Sequence, residues 1–258
     1  TACDLEGEGI EEIKPDNNLV SGQEPGMGVN YIYFNMENGP TADIKVRKAL
    51  QMAVDRDAMC AALYQYGECS PAYLPLPPAS WGYDESLEDL VPKYDVEGAK
   101  KLLAEAGYPE GFELEYYTSD SASSKKIGEI LQQFCAKVNV KVNIHQASWG
   151  TFSEIGASGN ADAIGMSWTW FPDPYFYLNK MFHEESLGTL GNGQQFNIPE
   201  VNELLDKAVE VSDQEERAKL YKEALKLIVE QYPQIDYCLA NINTGLNKKV
   251  QNYVVRPD

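Results

Sequence analysis

The residues that could do chemistry are few in kind and scattered in position. The chain holds two histidines, five cysteines and 40 acidic residues. His145 and His183 have no metal-ligand spacing to each other or to any cysteine, and no CxxC or Cys/His cluster occurs, so zinc and thioredoxin-like chemistry fall away. There is no Gly-x-Ser-x-Gly elbow, no Walker A sequence and no Gly-x-Gly-x-x-Gly after a strand, which removes the common hydrolase, nucleotide and dinucleotide signatures. Forty acids always supply some carboxylate pair, the machinery of a glycosidase, but no spacing singles one out. A secreted glycan hydrolase is therefore the enzymatic alternative, and the main expectation is a protein that is not an enzyme and carries no cofactor.

Two clusters suit binding better than catalysis. Tyr117-Thr118-Ser119-Asp120 supplies hydroxyls and backbone donors, and Trp168-Thr169-Trp170-Phe171 supplies a dense aromatic wall. A lone aromatic is more often core than site. Three in four residues at a strand end favour a site. Asp173, between Pro172 and Pro174, is first a turn residue and only second a ligand-facing carboxylate.

The elements that must position these residues follow from periodicity. Phe112, Leu114 and Tyr116 alternate as in a strand, then Ile127, Ile130, Leu131, Phe134 and Val138 make a helical stripe. Val140, Val142 and Ile144 alternate again. Ser148 opens a helix with Phe152 and Ile155, closed by Asn160, and Ala161 to Trp168 is a third strand. Strand–helix–strand–helix–strand at these lengths is a βαβαβ unit with parallel strands. In such sheets ligands sit beyond the carboxyl ends of the strands, where both clusters lie. One shared cleft is expected there.

Around this unit, residues 1–28 read as an irregular, acidic lead-in, and Tyr31 to Asn35 as a strand. Asp43 can cap a single helix to about Tyr66, and Ser70 to Tyr83, with four prolines, is an extended loop. Asp95 caps a helix that Gly107 ends. Further helices run to Phe182, from Pro199, and from a capping-box pattern at Ser212–Glu215 through Tyr232, before a last strand from Ile235 to Ile242.

Bulk properties bound the rest. The 258 residues carry a formal charge of −19, a surface that repels nucleic acid and anionic lipid. No apolar run approaches the roughly 18 residues of a membrane span. The start, Thr1-Ala2-Cys3-Asp4, has neither an initiator Met nor a leader pattern, so a removed signal or an excised piece is expected. Cys60 and Cys69 are the candidate disulfide. Cys135 and Cys238 read as buried free thiols, and the cysteines leave the compartment open.

Ordered matches then point to one family. Phe34-Asn35, Asp43 through Leu50, Ala53-Val54-Asp55-Arg56, Tyr94-Asp95, Leu102 through Tyr108, Gly111-Phe112, Val138 through Val142, Trp149, Phe152, Trp168, Asp173-Pro174, and Glu216-Arg217 with Leu220-Tyr221 resemble the signature of the peptide- and nickel-type extracellular solute-binding proteins, family 5. The resemblance covers about residues 29–245. It implies an α/β, periplasmic-binding-protein-like lobe of class II with an open mixed sheet. Residues 29–245 would be the C-terminal ligand-binding lobe, 1–28 a remnant of the N-terminal lobe and 246–258 a return segment toward it.

The resemblance also implies capture of a small solute, by family frequency an oligopeptide, between two lobes outside the cytoplasm. The protein would be periplasmic or lipid-anchored and would deliver its load to ABC permease subunits, with no nucleic acid partner. Ligand-facing residues would be Trp168, Thr169, Trp170, Phe171, Tyr117, Thr118 and Ser119, whereas Arg47 and Asp55 would be structural. Peptide-binding members carry an Asp a few residues after the Trp, to pair with the peptide ammonium. This chain has no acid before Asp173, which keeps a metal chelate or sugar oligomer open as the solute.

Overall fold

The computed structural model describes residues 2–5 and 7–254. Thr1, Glu6 and residues 255–258, parts of the expected lead-in and return segments, lie outside the described residues. The strands are β1 (Ala2–Asp4), β2 (Leu19–Phe34), β3 (Cys69–Ser70), β4 (Phe112–Ser119), β5 (Val140–Ala147), β6 (Ala163–Trp168) and β7 (Gln234–Asn247). The helices are α1 (Gly9–Glu12), α2 (Ile44–Ala53), α3 (Arg56–Leu63), α4 (Val96–Glu105), α5 (Ala122–Ala136), α6 (Trp149–Ser158), α7 (Tyr175–Phe182), α8 (Pro199–Glu210) and α9 (Gln214–Glu230).

One mixed sheet organises them in the order β1-β7-β2-β6-β4-β5, with β3 beside β7. β4 runs parallel to both β5 and β6, as the βαβαβ pattern requires. β2 is antiparallel to β6 and β7. Strand alternation builds a core on each face. Tyr31 and Tyr33 of β2 join Ile164, Leu178, Leu205 and Ile228 on one side. Ile32 and Phe34 join Leu50, Tyr116, Leu131 and Tyr237 on the other. Helices α7, α8 and α9 cover the first face, and α2 to α5 cover the second.

Several expectations are corrected. The lead-in is not irregular: β2 begins at Leu19, because residues 19–25 pair with 241–247 of β7. Only a distant partner strand makes that visible. The single helix from Asp43 is two. Val54 and Asp55 are extended, and the Asp55 carboxylate accepts from Ala58 N–H at 3.0 Å to start α3. A cap inside a continuous apolar stripe outweighs the stripe. α6 ends at Gly159, in the left-handed region at φ 66°, not at Asn160. α9 stops at Glu230 and is capped by Asp213, which accepts from Glu216 N–H.

The disulfide is also different. Cys60 pairs with Cys238, across a Cα–Cα distance of 5.7 Å, and not with Cys69. The physical reason is placement: α3 packs on β7 and brings Cys60 to Cys238, while β3 carries Cys69 opposite Ala240. Cys69 and Cys135 are free, and burial pushes both thiols up to about 12.

Buried charge is tied to backbone. Arg47 donates to Thr41, Ala42 and Gln231 carbonyls at 2.8–3.0 Å. Arg56, only 5% exposed, donates to Asp236 C=O and Gln51 Oε1 at 3.0 Å and to Pro92 C=O at 3.4 Å. Gln51 donates in turn to Gln234 C=O, and Gln234 to the Asp236 carboxylate. This network pins α3 to β7.

Candidate ligand-binding site

The ends of the parallel strands β4 and β6 place Thr118, Ser119 and Ser167. β4 leads into α5 on one face of the sheet, while β6 leads into α7 on the other. The crevice between neighbouring strands whose exits part in this way is where open α/β sheets hold ligands. A cleft of about 260 Å³ opens there. Its walls carry the hydroxyls of Thr118, Ser119, Ser123, Ser124 and Ser167 and the amide of Asn30. Tyr64 and Tyr237 line it too, with Ile127, Trp149, Phe152 and Met166 as the apolar part.

The local sequence explains the shape. Ser121 caps α5 by accepting from Ser124 N–H at 3.1 Å, and Ser124 Oγ lies 2.7 Å from Ser119 Oγ. Gly165 is needed because Tyr116 presses on it: a Cβ there would lie 2.0 Å from the Tyr116 hydroxyl. Burial, helped by Cys69, pushes the Tyr64 hydroxyl up to about 12. Burial likewise holds the Tyr237 hydroxyl well above its ordinary value. Among the described residues the lining is therefore neutral near pH 7, in a chain of charge −19. Among the described residues that line it there is no Asp or Glu.

Thr118 and Ser119 fall in this cleft; Trp168 does not. Tyr116 pairs with Ala163 and Tyr117 with Ile164. Residues in register on parallel strands share a face, so Thr118 lies with Gly165 and Ser167, and Tyr117 lies with Met166 and Trp168. The expected single cleft joining Thr118 to Trp168 is thus corrected: the two side chains are on opposite faces. Tyr117 stacks on His145 with ring centroids 4.6 Å apart, and His145 is bonded to Glu115. The Trp168 indole donates to Phe176 C=O at 2.8 Å and packs on the core.

The loop after Trp168 forms a second feature. Trp170 and Phe171 are 51% and 59% exposed and make an aromatic shelf with Phe176, at centroid distances of 5.9 and 5.4 Å. Asp173 is engaged elsewhere. It accepts from Tyr175 N–H at 3.0 Å to start α7 and from Arg217 Nη2 at 3.2 and 3.3 Å. The Arg217 guanidinium lies over the Trp81 and Tyr221 rings.

Sequence reasoning missed Ser167, Gly165, Ser123, Ser124, Trp149 and Tyr237. For Ser167 and Gly165 the available signal was alternation along β6, since residues two apart in a strand share a face; the others are brought in by α5, α6 and β7, which no local pattern places there. Two other hollows, of about 330 and 350 Å³, flank the proline-rich loop and share Asp57, Tyr73 and Glu88. The larger of them also carries Val29, the partner of Trp168 at the end of β6. Among the described residues no group of three His, Cys, Asp or Glu could hold a metal, and no helix is long and apolar enough to cross a membrane.

Comparison with known proteins gives a consistent result. Residues 1–188 match the family described as bacterial extracellular solute-binding proteins, family 5 middle. Heme-binding protein A of Haemophilus influenzae is 34% identical over 96% of this chain and 46% of its own length. The dipeptide-binding protein of Escherichia coli is 30% identical over 96% of this chain and 47% of its own length. The structure of HbpA2 from Haemophilus parasuis superposes with a TM-score of 0.90 at 31% identity, covering 96% of this chain and 49% of that one. The chain spans about half the length of the curated relatives it matches.

Proposed function

This chain belongs to the bacterial extracellular solute-binding proteins of family 5, and from that premise we propose that it is one wall of a solute-capturing receptor that serves an ABC importer, with oligopeptides as the solute. The remainder of a longer protein would supply the facing wall, and permease subunits would receive the load outside the cytoplasm. Lipid anchoring and a periplasmic location are both compatible with this role. The observation that carries the reading is the neutral, hydroxyl-rich cleft at the carboxyl ends of β4 and β6; the exposed aromatic shelf on the loop after β6 is a second, separate contact surface. Such surfaces hold an uncharged stretch of solute by hydrogen bonds and apolar contact.

A second reading has its own support. Asp173 is bonded to Arg217 and to α7, so it is not free to pair with a peptide ammonium, and a buried ammonium without a carboxylate is costly. A non-peptide solute, such as a metal chelate, a sugar oligomer or haem, avoids that cost.

The full-length parent protein decides between them in a thermal-shift screen. Di- to hexapeptides at about 100 times Kd should stabilise it by about 2.7 kcal/mol. A shift only with oligosaccharides, nickel chelates or haem would replace the peptide reading by the second one. No shift with any of these probes would sink the receptor reading.

A further inference from the structure

The aromatic shelf is tied to the long strand β2 through one hydroxyl. Tyr177, fully buried in α7, accepts from Trp170 N–H at 3.1 Å and donates to Met27 C=O at 2.7 Å. Met27 is no ordinary ladder residue. Pro25 pairs with Asn241 and Val29 with Leu239, so Gly26, Met27 and Gly28 together oppose the single residue Ala240. This is a bulge, the device that re-aims strands beside functional sites. The contact is doubled at its neighbour: a Cβ on Gly28 would lie 2.8 Å from Thr169 Oγ1 and 3.3 Å from Ala240 Cβ. The shelf backbone therefore meets the bulge at Trp170 through Tyr177, and the Thr169 side chain lies close beside Gly28.

We propose that Tyr177 is a positioning residue for solute capture, whose hydroxyl sets the shelf of Trp170 and Phe171 against the β2 bulge. This rests on the reading of the shelf as a solute-contacting wall. The hydroxyl is not needed for packing, because a phenylalanine ring fills the same slot in α7. Its removal leaves Trp170 N–H and Met27 C=O without the partner they share, and a polar group that loses its partner in a partly dry site is destabilised locally. The shelf would then sample orientations other than the one the bulge imposes.

The test uses the full-length parent protein with Tyr177→Phe and, separately, Gly28→Ala, which pushes on Thr169 and leaves Tyr177 intact. Amide exchange at Trp170 is read by NMR without any solute, alongside exchange at the core residue Ile32. Affinity is read by calorimetry with the dipeptide Met-Leu. In Tyr177→Phe the Trp170 amide should exchange about tenfold faster while Ile32 is unchanged, and Kd for Met-Leu should rise about tenfold. Gly28→Ala should move both readouts in the same direction. Unchanged exchange at Trp170 overturns the positioning role, and faster exchange with an unchanged Kd overturns its link to capture. If the wild-type protein does not bind Met-Leu, the peptide reading and the link to peptide capture fail together, and the exchange result alone decides whether the hydroxyl positions the shelf.

Discussion

An Arg56→Ala variant should lose about 3–5 kcal/mol of folding stability, the range found when one member of a buried, charge-assisted network is removed. The guanidinium is 5% exposed and reaches three acceptors on three segments: Gln51 in α2, Pro92 in the loop before α4, and Asp236 in β7. Burial lowers its pKa only to about 10, so it stays charged near neutral pH. Alanine would strand the Gln51 carbonyl oxygen and two main-chain carbonyls in a dry interior, and would leave a hole where the side chain lay. Urea titration measures the loss as a lower midpoint at unchanged slope. A loss under about 1 kcal/mol would mean that water replaces the cation at little cost, and the network would be incidental. Arg56→Met separates the two contributions, since it keeps most of the volume and discards the donors.

The second large effect is a dependence on pH that runs opposite to most acids. Burial raises the Asp236 carboxyl from its ordinary 3.8 to about 7, with the Gln234 hydrogen bond and the Arg56 cation pulling the other way. Between those values the folded protein holds a proton that the unfolded chain has released. Stability from this group is thus complete below about pH 3.8, falls as pH rises, and is lost once pH passes about 7. The limiting slope is about 1.4 kcal/mol per pH unit inside the window. Asp236→Asn should remove that slope, and its stability relative to wild type should improve from pH 4 to about pH 7 and level off above it. Urea midpoints across that range for both proteins check it. Parallel curves would show that Asp236 titrates alike in the folded and unfolded states. Tyr31 also faces this carboxyl, and its hydroxyl is held well above its ordinary value, so it stays neutral throughout the window.

What was legible in the sequence was local. The alternation of Phe112, Leu114 and Tyr116, and of Val140, Val142 and Ile144, gave the parallel strands. Short polar residues gave caps, with Asp43 accepting from Lys45 N–H and Asp95 from Gly98 N–H. What was hidden was set by distant partners. Leu19 to Pro25 includes Gly22 and Pro25, poor strand formers, and is a strand only because 241–247 lies beside it. Cys238 looked like a core thiol because its partner is 178 residues away. The strand-end position of Trp168 was plain from the sequence. Its face was not, because face depends on register between β4 and β6 and a one-residue slip inverts it. That single unknown separates the expected joint cleft from the observed cleft and shelf.

The bond between Cys60 and Cys238 also gives the molecule an unusual connectivity. It closes a covalent ring that contains every element from β3 to α9 and the first part of β7. A protease that nicks any loop inside the ring, the proline-rich stretch included, produces no separate fragment. The nicked chain migrates as one species until a reductant is added, and only then divides in two. Survival of an intact band on a non-reducing gel would therefore report a closed ring, not resistance to cleavage.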